Sequence, residues 1–245
     1  MDKTLNERAV ETTRDIYKTR YNKAEVIFLA GSFVRGEETR TSDLDLVVIF
    51  KQLPNPFRES FYFNDFPIET FVHDPETLNF FLQNECRQAF SPLMQMIDEG
   101  IEIPKPTEFS ADLKKLAAKM KESLHKISNE EIERMRYGIT NLVDDIKFPR
   151  SKFELTATGT ALYSALSDFY LLVNELWLAE HKTIPRILEQ KNPEWQNQFC
   201  LAFEDLFVNG KSEKVILLAE DLLQPYGGFL FDGYRNDAPK IIENR

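Results

Sequence analysis

The chain has 245 residues, 42% of them hydrophobic and 12% aromatic, enough for one large core or two modest ones. Its formal net charge of −10 argues against a general nucleic-acid binder, which would carry a basic face or stripe. No stretch approaches the roughly 18–20 uninterrupted apolar residues of a membrane span, and Met1-Asp2-Lys3 leads into a charged segment, so neither a membrane anchor nor a signal peptide is expected.

Leu5, Ala9, Thr12 and Ile16 recur at helical spacing and predict an amphipathic helix over 5–20. Val26–Ala30 is a short apolar run ending at Gly31 and reads as a buried strand. Leu44–Phe50 is a second such run. Phe66–Val72, aromatic and β-branched, is a third, bounded by Asn64-Asp65 and Asp74-Pro75. Pro67 predicts that this strand starts late or lies at a sheet edge. Pro75 suits the first turn of a helix running to Cys86, and another helix covers Pro92–Glu99 with Gly100 as its stop. Composition changes at Pro104-Lys105-Pro106, which places a domain boundary there: 1–104, then 105–245. Beyond it no strand is evident. Helical patterns run over 108–127, 129–147, 154–181, 193–208 and 211–223, with a start signal at Ser128 or Asn129 followed by Glu131. Gly227-Gly228 follows no strand and opens no helix, so it reads as a turn and not as a phosphate loop. Cys86 and Cys200 are too few for a disulfide framework and point to a reducing cytoplasm. His73, His125 and His181 lack metal-ligand spacing.

The chemistry concentrates at the front. Gly31-Ser32 ends the first strand. Ten residues later comes Ser42-Asp43-Leu44-Asp45-Leu46, opening the second strand. Residues alternate across a strand, so Asp43 and Asp45 face the same side with Cα atoms about 7 Å apart, close enough to share a metal centre. Glu69 sits mid-strand in the apolar run Ile68-Glu69-Thr70-Phe71, where an unpaired charge is costly. If its strand lies beside Leu44–Phe50, all three acids converge. Nucleotidyl transfer needs this equipment, because its main demand is charge neutralisation by divalent ions held on carboxylates. Gly31, lacking a Cβ, lets backbone approach a phosphate, and Ser32 offers a hydroxyl and an N–H. Ser42 and Arg35 are further candidate phosphate contacts.

Gly31-Ser32 through Ser42-Asp43-Leu44-Asp45-Leu46 resembles the signature of the polymerase-beta-like nucleotidyltransferase superfamily. Gly31-Ser32-Phe33-Val34-Arg35-Gly36 followed by Ser42-Asp43 is most similar to its small bacterial branch, which includes aminoglycoside- and lincosamide-type enzymes. The resemblance covers 28–72 strongly and extends to about residue 104. It implies an α+β chain, with a small mixed β-sheet flanked by helices followed by an all-α helical bundle that binds the acceptor. It also implies one or two Mg2+ ions and an NTP, expected to be ATP. NMP would pass to an acceptor with release of pyrophosphate; the resemblance does not name that acceptor, for which a hydroxyl of a small, antibiotic-like molecule is expected, and the acidic charge favours a cationic one. In such relatives a carboxylate of the helical domain serves as base, with a lysine nearby for phosphate. Asp144 and Lys147, at i and i+3 on one helix, offer both, and an ordinary surface ion pair is the alternative. Asp145, Glu154, Asp168 and Glu175 are competing acids. Tyr163, Tyr170 and Trp177 could line an acceptor pocket or belong to the core. A protein acceptor, nucleotidylated in the toxin-neutralising manner, and an inactive nucleotide-binding protein are the other readings open at this point. Membrane and nucleic-acid partners are not expected.

Overall fold

The computed structural model describes residues 4–39, 41–124 and 126–237; the readings at Met1-Asp2-Lys3 and His125 lie outside them. The chain divides into two compact units, Met1–Leu124 and His125–Arg245. Among the described residues no helix is long and apolar enough to cross a membrane.

The first unit opens with α1 (Leu5–Thr19), capped by Thr4 and Glu7 in a reciprocal box. Five strands follow: β1 (Val26–Ala30), β2 (Leu44–Ile49), β3 (Phe57–Phe63), β4 (Phe66–His73) and β5 (Ile101–Ile103). Their order in the sheet is β3-β4-β2-β1-β5. β2 and β4 run parallel and the other neighbours antiparallel, so the sheet is mixed. Period-2 alternation sorts the side chains. Ile27, Leu29, Leu44, Leu46, Val48, Ile68 and Val72 form one core with Ala9 and Ile16 of α1. The opposite face carries Phe28, Asp45, Val47, Glu69 and Phe71, and α4 (Pro92–Glu99) packs against β1 and β2. Helices α2 (Ser32–Arg35), α3 (Pro75–Gln88) and α5 (Glu108–Lys121) complete the unit.

Four expectations are corrected here. β3 and β5 had no counterpart in the sequence reading. β4 is internal rather than at an edge: Pro67 pairs with Tyr62 of β3, one residue before the ladder to β2 begins at Leu44 and Ile68, so its missing N–H interrupts nothing there. The two compact units divide after residue 124 and not at 104, because α5 belongs to the first unit. Lys121 pairs with Asp98 of α4 at 2.8 Å, and the Ser110 hydroxyl donates to Glu102 of β5 at 2.9 Å. α5 also stops at Lys121, short of residue 127.

The second unit is all helical among its described residues: α6 (Asn129–Lys147), α7 (Lys152–Val173), α8 (Thr183–Lys191), α9 (Pro193–Glu204) and α10 (Glu213–Leu223). Ser128 and Glu131 form the capping box that starts α6. α7 ends at Val173 and not 181, because Glu175 takes a left-handed backbone, and α8 follows as a separate element. Pro185 lies in the first turn of α8, where its missing N–H costs no helical hydrogen bond. Leu162, Leu166, Phe169, Phe199, Phe203, Val215 and Leu223 lie in its core. Arg136 of α6 donates to the carbonyls of Gly227 and Gly228 at 2.8 Å each, fixing the segment after α10 as a turn.

Candidate active site

At the end of β1 the backbone of Gly31 turns through φ 77°, ψ −154° into the single turn of α2. A Cβ built on Gly31 would lie 2.0 Å from the Asp45 Oδ2. The bare α-carbon therefore makes room for this carboxylate, a constraint the sequence reading did not contain. Asp45 is opposite Ala30 in the β1–β2 ladder and beside Glu69 in the parallel β2–β4 ladder. Asp43 lies two residues before Asp45, on the same face. One carboxylate oxygen from each of Asp43, Asp45 and Glu69 lies within 4.8 Å of the other two. Hard divalent ions take oxygen ligands at about 2.0–2.6 Å, so oxygens on opposite sides of one ion are about 4–5 Å apart. The donor type and spacing fit such an ion.

The Arg58 Nη2 of β3 donates to the Glu69 Oε1, and the guanidinium lies over the Phe71 ring at 4.9 Å. Sequence reasoning missed Arg58 because Phe-Arg-Glu-Ser-Phe-Tyr-Phe shows no clean alternation. The usable signal was Asn64-Asp65, a two-residue turn with both φ positive, which closes a β3–β4 hairpin. That register puts Ser60 opposite Glu69 and Arg58 diagonal to it on the same face.

The phosphate candidates divide. Ser32 is the first residue of α2 and half-buried. The Ser42 hydroxyl accepts from the Thr39 N–H at 2.8 Å, and its own N–H returns to the Thr39 carbonyl, closing the turn before β2. Arg35 pairs with Glu37 and with Glu99 of α4. Burial works against its charge, but the two carboxylates outweigh it and raise its pKa. Arg35 thus ties the loop after β1 to α4.

In the second unit Asp144 and Asp145 are both exposed, beside the buried Val143 and Ile146. Lys147 pairs with Asp144 at 2.7 Å. Glu154 accepts from the Arg150 N–H, and Glu175 pairs with Lys126 at 2.7 Å. Asp168 differs: burial, with the like charge of Glu180, pushes its carboxyl up to about 6. Tyr163 packs edge-on against Phe199 and Phe203 in the core. Tyr170 stacks on Trp195 at 3.8 Å, and the two line a cavity of about 240 Å³ with Val173, Asn174, Asp221 and Tyr226.

Residues 10–91 match the family model described as a nucleotidyltransferase domain. Residues 10–91 carry a nucleotidyltransferase domain. This nucleotidyltransferase match takes in β1 to β4 and all three carboxylates, and stops before α4. A solved structure, a nucleotidyltransferase-like protein from Exiguobacterium sibiricum 255-15, is similar at a TM-score of 0.48 and 17% identity, over 88% of this chain and 74% of that one. Prostaglandin G/H synthase 2 of Bos taurus is 24% identical over 177 residues. The match takes in 66% of this chain and spans 28% of that protein's length. Neither likeness bears on the chemistry of the nucleotidyltransferase site.

Proposed function

We propose that this nucleotidyltransferase moves NMP from an NTP, expected to be ATP, to a hydroxyl of a small acceptor, releasing pyrophosphate in a magnesium-dependent reaction. The convergence of Asp43, Asp45 and Glu69 carries the reading. These three residues would hold the ion, which supplies charge neutralisation for the phosphates. Gly31 leaves the space that the Asp45 carboxylate occupies, and Ser32 offers its hydroxyl and N–H to a phosphate. Arg35, tied to Glu99 and Glu37, holds the loop that presents them. The net charge of −10 favours a cationic acceptor, and an antibiotic-like one of the aminoglycoside or lincosamide type is the class that the sequence resemblance suggests. Asp144 is proposed as the base for the acceptor hydroxyl, with Lys147 as its phosphate-directed partner. Asp168 replaces Asp144 if Asp144→Asn transfers at the wild-type rate. Free Cys86 and Cys200 support a reducing, cytoplasmic setting.

The test is pyrophosphate release with each NTP and magnesium, across aminoglycoside, lincosamide and protein candidates. Release that depends on a small acceptor is the expected result. Label on a protein would instead establish protein nucleotidylation. Nucleotide binding with no release under any condition would leave a non-catalytic binder.

A further inference from the structure

Glu69 meets a cation in the protein itself. Arg58 donates to one of its oxygens, Oε1, and the two side chains are very differently held. Glu69 is 21% exposed and flanked on both sides by paired strands, whereas Arg58 is 61% exposed on the strand at the end of the sheet order. The Glu69 carboxylate is the fixed member and the guanidinium the movable one. Phe71, on the same face, supports the guanidinium in that same position at a ring distance of 4.9 Å. Three clustered carboxylates repel one another, and a cation on one of them offsets part of that repulsion.

We infer that Arg58 is a resident counter-ion of the carboxylate cluster, acting at Glu69: it holds Glu69 in the metal-free protein and competes with the divalent ion for that carboxylate. The inference rests on the reading of Asp43, Asp45 and Glu69 as a metal site. A guanidinium and a divalent ion on the same carboxylate repel. At about 5 Å in a solvent-like dielectric this repulsion weakens ion binding by about tenfold, less in salt. Arg58 is therefore a positioning residue that sets how much divalent ion the site needs, and its charge matters more than its shape.

The test is calorimetric titration of MgCl2 and MnCl2 into the full-length, nucleotide-free protein at low ionic strength. Wild type, Arg58→Gln, Arg58→Lys and Asp45→Asn are compared. Arg58→Gln is expected to bind the ion about three- to tenfold more tightly than wild type. Arg58→Lys, which keeps the charge, should stay within about twofold of wild type. Asp45→Asn should lose binding. Unchanged or weaker binding in Arg58→Gln, beside a wild type that responds to Asp45→Asn, overturns the inference alone. Wild-type binding that Asp45→Asn leaves intact, or no binding in any of the four, overturns the metal-site reading and the inference with it.

Discussion

A substitution at Gly31 tests the site through a single atom. Its positive φ already disfavours a side chain, and a Cβ would fall 2.0 Å from Asp45. Gly31→Ala must push the Asp45 carboxylate away from Asp43 and Glu69 or move the turn that starts α2. Transfer is expected to fall at least about a hundredfold, in the range for losing one positioned electrostatic group, and the melting temperature should drop. Near-wild-type pyrophosphate release would show that the cluster tolerates the displacement. Asp43→Asn and Asp45→Asn should behave differently. Each should abolish transfer, and Asp43→Asn, which removes one of three like charges, should melt at or above the wild-type temperature without metal. Magnesium should raise the melting temperature of wild type and leave both variants unmoved. Circular dichroism melts with and without MgCl2 check both statements.

Helix α4 shows how one element is held and how that hold titrates. The Glu85 carboxylate of α3 accepts from the N–H groups of Leu93 and Met94, at 2.7 and 2.9 Å, in the first turn of α4. Burial pushes its carboxyl up to about 7 from an ordinary 4.5, against the pull of those two donors. Between these values the folded protein binds the proton that the unfolded chain has released. Glu85 therefore contributes stability that is full below about 4.5 and lost as pH rises through about 7. Burial lowers the His73 pKa, so its neutral form is favoured in the fold and its contribution runs the other way, lost as pH falls below 6.5. Comparison with Glu85→Gln isolates the first effect. From pH 5 to 8 the wild-type melting temperature should fall relative to the variant's; parallel curves would mean that Glu85 does not titrate there. The elements themselves were unevenly legible. β1, β2 and β4 stand out because each is an apolar run buried on both faces or nearly so. β3 is half-exposed and charged, and β5 has three residues, so neither carries a periodic signal. Missing β3 also hid Arg58, whose role depends on hairpin register and not on any local motif.

The two units differ in how far the sequence could take them. The candidate carboxylate cluster was legible in part because Gly31, Asp43 and Asp45 lie in one contiguous run and strand alternation alone brings Asp43 and Asp45 to one face. Choosing among acids in the helical unit depends on exposure and partners, which no spacing encodes: Asp144 turns out ion-paired at the surface and Asp168 half-buried with a raised pKa. Helical periodicity was equally blind to which unit owns α5. Leu113 and Ala117 are buried. Glu102, 14% exposed, takes both the Ser110 hydroxyl and the Lys114 ammonium. Removing α5 would uncover the surface of α4 and leave that carboxylate without those two partners. Burial of a side chain such as Leu113 is worth about 2 kcal/mol and a half-buried charge left alone costs a comparable amount, together a large part of a small domain's stability. A fragment ending at residue 124 is therefore expected to melt cooperatively and to keep the metal-dependent rise in melting temperature. One ending at residue 104 should lose cooperativity, or melt at least about 10 °C lower, since each kcal/mol shifts a domain of this size by about 4–8 °C. Differential scanning calorimetry of the two fragments decides it. Equal melting temperatures would return α5 to the helical unit and restore the boundary at 104.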